Sequence, residues 1–127
     1  MSVSSNINQM PEKNIFNIDA AGLIKRIEAI PAIKLQMLDS LLLEVANTFY
    51  DAYEYVLELP GKINLIKKEE VNTLLTDLQS LNQKATSIMD ILCESGYRSK
   101  NMSRATEVLG RIEDDIPGLV KEIQEIL

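Results

Sequence analysis

From Leu35 onward, apolar residues recur every three or four positions in three successive stretches of similar length. The first runs through Leu35, Leu38, Leu42, Val45, Phe49, Ala52, Val56 and Leu59. The second is Val71, Leu74, Leu78, Leu81, Ala85, Ile88 and Leu92. The third is Met102, Ala105, Leu109, Ile112, Ile116, Leu119, Ile123 and Ile126. A mean period of 3.5 residues gathers each set into one seam of a helix. Short links between long helices make neighbours antiparallel. The expected fold is therefore all-α: an antiparallel up-down-up bundle of three long helices with a short helix before them.

Cap and breaker residues set the boundaries. Residues 1–17, rich in Ser and Asn and interrupted by Pro11, show no period and are expected to be a mobile tail, with residues 18–127 forming a single helical-bundle domain. Asp19 is a good N-cap, and Ile18 and Leu23 stand at the spacing of a hydrophobic staple. Leu23, Ile27 and Ile30 line one face of the short helix, which Pro31 ends. Helix two is expected over residues 32–59. Leu59-Pro60-Gly61 is a stop-and-turn signal, because proline cannot continue the ladder and glycine tolerates positive φ. Helix three should run from Leu65 to Glu94, before Ser95-Gly96. Helix four should begin between Ser99 and Ser103 and continue to the last residues. Pro117-Gly118 falls inside it, yet the repeat holds through Ile112, Ile116, Leu119 and Ile123, which predicts a kinked but continuous helix.

The helices differ in how much of their circumference is apolar. Helix two carries a second stripe beside its seam: Leu41, Leu43, Ala46, Tyr50, Tyr53, Tyr55 and Leu57. Two neighbours cannot cover so wide a face, so this helix is expected either to be central or to turn one side to a partner. Leu43, Tyr50, Tyr53, Tyr55 and Leu57 are the candidate partner-binding residues. Tyrosine suits a half-wet surface, and the patch lies either under the short helix or against another chain. Helix three is plain in a different way. Between Asn72 and Met89 only Asp77 and Lys84 are charged, and its Ser, Thr, Asn and Gln make it depend on packing more than on propensity.

Composition changes this picture mainly by exclusion. The 127 residues are enough for one domain with a core of its own, and 46% hydrophobic with 25% charged residues suits a globular chain. A net charge of -6 argues against nucleic-acid binding, which rests on neutralising phosphates. No apolar run is long enough for a membrane span, and the start of the chain lacks a cleavable signal, so a cytoplasmic location is expected. The single Cys93 fits a reducing compartment and is expected to be a small, partly buried apolar residue. Within this acidic chain, Arg98, Lys100 and Arg104, with Arg111 two turns on, form a basic cluster. These residues either oppose the dipole of helix three and lie on a solvated face, or contact an anion or an acidic partner at the start of helix four.

Residues that carry catalysis are scarce. There is no histidine, which removes Ser-His and Cys-His nucleophiles and Cys/His zinc sites, and the five glycines form no phosphate loop. Asp51-x-x-Glu54 and Glu122-x-x-Glu125 have a spacing that can hold Mg²⁺. In being an acidic helical bundle the chain resembles the all-helical nucleotide pyrophosphohydrolases. That resemblance would imply a Mg²⁺-dependent phosphohydrolase with carboxylates converging from facing helices. Asp51 and Glu54, however, stand at outer heptad positions. The composition of the first residues, before Glu12, resembles the mobile N-terminal export signals of contact-dependent secretion systems, which would imply a bacterial secreted or translocated factor. The leading expectation is a non-enzymatic protein-protein interaction module without cofactor or metal: an adaptor, small chaperone or regulator that binds a protein partner or itself.

Overall fold

A computed structural model describes residues 17–126, and all of its regular structure there is helical. Helix α1 spans Ala20–Glu28, α2 Leu38–Glu58, α3 Lys68–Ser95 and α4 Lys100–Ile126, with 3₁₀ segments at Ala32–Met37 and Leu59–Leu65. The expected tail lies outside the described residues apart from Asn17.

Local chemistry accounts for the ends. The Asp19 carboxylate accepts a hydrogen bond from the Gly22 amide at 3.0 Å and opens α1. A side chain at position 22 would run into that carboxylate, so glycine is what lets the cap form. Helix two begins later than its seam suggests. Leu35 belongs to the 3₁₀ segment, where Lys34 leaves helical geometry (φ -121°, ψ 37°), and it is only partly buried. Likewise Leu65 closes a 3₁₀ segment rather than opening α3, which starts at Lys68 with Glu69 and Glu70 favourably placed in its first turn. Gly96 ends α3 in the left-handed region at φ 73°, where a Cβ would be strained. The Ser99 hydroxyl accepts from the Met102 amide at 3.0 Å and caps α4. As expected, α4 passes through Pro117 without a break.

The three seams form one core. From Leu38 to Leu59, Val71 to Leu92 and Met102 to Ile123, every seam residue is buried, while Ile126 is exposed. Polar bonds fix how the helices run. Asn101 Nδ2 donates to Asp39 Oδ2 at 2.9 Å near the starts of α4 and α2, and the Tyr53 hydroxyl donates to Asp115 Oδ2 at 2.8 Å further along. Both pairs are 62 residues apart, so α2 and α4 run parallel, in register. The Thr86 hydroxyl donates to Glu113 at 2.7 Å, and Met89 faces Gly110, so α3 runs antiparallel to α4. The bundle is thus up-down-up.

Of the two expectations for α2, the central place is not met. α4 packs closely along both α2 and α3, whose own backbones stay further apart, while α1 bridges α2 and α3. The second stripe of α2 is mostly consumed inside the fold: Leu41, Ala46, Tyr53 and Tyr55 are buried. What remains open is a narrower line along α2.

Candidate functional site

That open line is Leu43, Tyr50 and Leu57, 38%, 48% and 54% exposed. Seven-residue spacing on a helix of 3.6 residues per turn returns each side chain to nearly the same face, so the three form a row along α2. Beside the row, between α2 and α4, lies an open groove of about 510 Å³. Ala46, Asn47, Tyr50, Tyr53 and Leu57 line it from α2, and Arg104, Glu107, Val108 and Arg111 from α4. Its floor is apolar, since Ala46 and Val108 are buried, and Leu43 stands outside it one turn before Ala46 and Asn47.

The candidate tyrosines part company here. Tyr53 is buried against α4, with its hydroxyl held by Asp115. This hydrogen bond and burial together raise its pKa, and the nearby Arg111 guanidinium opposes them in part. Tyr55 is buried near Glu70 and Asp77 of α3, and its pKa is pushed up to about 12, mainly by burial and then by the carboxylates of Glu70, Asp77 and Glu58. Tyr50 alone of the three is open to solvent in the groove. The short helix does not cover it; α1 sits where Arg26 reaches Glu44 in a two-pronged pair at 2.8 and 2.9 Å.

The basic cluster also divides. Arg98 is exposed in the turn between α3 and α4, and Lys100 is exposed in the first turn of α4. Neither lines the groove, whereas Arg104 and Arg111 do. Arg111 donates to Glu107 at 2.8 Å, one helical turn back. Arg104 has no ion pair or side-chain hydrogen bond among the described residues.

Other candidates stand apart. Asp51, Glu54, Glu122 and Glu125 are exposed, and no group of three or more Asp, Glu or Cys residues able to hold a metal ion occurs among the described residues. Cys93 is exposed, not partly buried, because it falls one position past Leu92, the last residue of its seam. No helix among the described residues is long and apolar enough to cross a membrane.

Sequence reasoning named Tyr50, Tyr53, Leu57, Arg104 and Arg111 but as two unrelated clusters, and it missed Asn47, Glu107 and Val108 as groove residues. Val108 is the one with a visible signal, an apolar residue flanking the seam at Leu109. Comparison of the chain with known protein families, with curated proteins and with solved structures returned no match.

Proposed function

We propose that this chain is a non-enzymatic protein-interaction module, an adaptor, small chaperone or regulator, and that it docks a protein partner in the groove between α2 and α4. The observation that carries this reading is the exposed row Leu43, Tyr50, Leu57 beside an apolar-floored groove. Scattered exposed apolar residues are ordinary, but an aligned row next to a groove matches the way helical partners are seated. Tyrosine at the middle of such a row suits an interface anchor, since it offers a large apolar ring with few rotatable bonds. In this reading the protein works in the cytoplasm, which suits a chain with one free thiol.

The test is site-specific photo-crosslinking in the native host. A photoreactive side chain at Asn47, in the groove, should yield a discrete crosslinked partner, and one at Asp90, exposed on α3, should not. Adding Tyr50→Lys and Leu57→Lys should abolish the adduct while changing the thermal midpoint by only a few degrees, because both residues are half exposed. Equal crosslinking from Asn47 and Asp90 would remove the groove from consideration.

A further inference from the structure

The two helices that wall the groove carry the same repeat, which lines it at Tyr50, Leu57, Arg104 and Arg111 and runs past its ends at Leu43 and Gly118. Leu43, Tyr50 and Leu57 recur every seven residues on α2, and Arg104, Arg111 and Gly118 recur every seven on α4. Because α2 and α4 run parallel in register, Leu43 stands level with Arg104, Tyr50 with Arg111 and Leu57 with Gly118, to within one residue. The result is a ladder whose rungs are about 10 Å apart, the rise of two helical turns. Its first two rungs pair an apolar group on one wall with a guanidinium on the other. On the third, Gly118 leaves open space.

From this ladder we infer that the partner is an acidic amphipathic helix, with one apolar side chain per heptad against α2 and a carboxylate beside it against α4. The inference rests on the docking role proposed above and adds the chemistry of the occupant. The match is one of charge and period together. In a chain of net charge -6, the groove is lined by two arginines and one glutamate. Glu107 is already paired with Arg111, so Arg104 presents a guanidinium that nothing among the described residues neutralises. Guanidinium binds carboxylate through a planar fork, which suits an exposed arginine beside an apolar floor to a partner that carries both kinds of group. A helix is the element that returns a carboxylate and an apolar group to one face every seven residues, the period both walls share.

Two alanine-based helical peptides test this directly. Both carry leucine once per heptad, and they differ only in having Glu or Lys four residues after each leucine. Anisotropy of the labelled peptides, titrated with the full chain at low salt, should show the Glu peptide binding at least about tenfold more tightly than the Lys peptide. The Arg104→Glu, Arg111→Glu double variant, checked for an unchanged thermal midpoint, should reverse that order. Equal affinities lost together in Tyr50→Lys would overturn the acidic partner and leave the groove as a docking site. No binding of either peptide would overturn the inference, leaving the crosslinking test of the groove independent. Concentration-dependent dimerisation of the free chain, abolished by Tyr50→Lys, would also overturn it, with a second copy as the occupant.

Discussion

Tyr50, Tyr53 and Tyr55 lie within six positions of one another and meet three different environments. Helical geometry turns each successive residue by about 100°, so short sequence separation carries little information about shared surroundings. Tyr50 faces the groove, Tyr53 binds Asp115 of α4, and Tyr55 is buried toward carboxylates of α3. The environment of Tyr55 has a measurable consequence. Its phenolate is disfavoured in the folded protein, where its pKa is about 12 against 10.0 for the free side chain. Its contribution to stability is therefore complete below pH 10 and declines as pH rises through about 12, because the unfolded chain releases that proton first. The thermal midpoint of the wild-type chain should fall over this window, and Tyr55→Phe should flatten part of the decline. An identical pH profile in the variant would refute the assignment. The groove's membership was only half legible at this scale: the residue types were visible, but which tyrosine stays open depends on where the neighbouring helices sit.

Among the elements, α4 is the most demanding to form. Proline in a helix interior removes one backbone hydrogen bond and crowds the preceding turn, at a cost of about 3 kcal/mol. α4 continues through Pro117 because Ile116, Leu119, Val120 and Ile123 around it are all buried. Pro117 itself is exposed, so replacing it should not disturb the core. Pro117→Ala should raise stability to urea unfolding by about 1 to 2 kcal/mol, the restored helix being offset in part by the greater freedom of the unfolded chain. An unchanged or lowered stability would show that the local geometry at Pro117 is required. The continuity of this helix was legible in the unbroken seam. The start of α2 was not. Leu35 keeps the period, but a 3₁₀ segment interrupts the path at Lys34, and a period read through side-chain type cannot register a change in backbone winding.

For the whole molecule, the three seams announced a bundle, and all three are buried together. Their order in space was harder to read. The breadth of the apolar face on α2 left it either central or turned toward a partner, and it is α4 that lies between α2 and α3. Small residues help to explain this: Ala105 is fully buried and Gly110 faces only the end of Met89, so α4 can be approached closely from two sides. The ladder across the groove was invisible for a related reason, since it requires the axial register of two helices some 60 residues apart. Central packing predicts the order of local opening. Amides of α4 between Leu109 and Ile116 should exchange with deuterium most slowly, and those of α1, which has fewer neighbours, most rapidly among the helices. Fast exchange throughout α4 would contradict this packing.

The central helix is also made after the two it holds apart. While α2 and α3 leave the ribosome, Leu42, Phe49 and Leu78 have no α4 to pack against, and at ordinary translation rates that interval is on the order of several seconds. For that time the nascent chain presents greasy, unpaired helices, so synthesis itself is its period of greatest vulnerability to aggregation and its moment of greatest appeal to folding helpers.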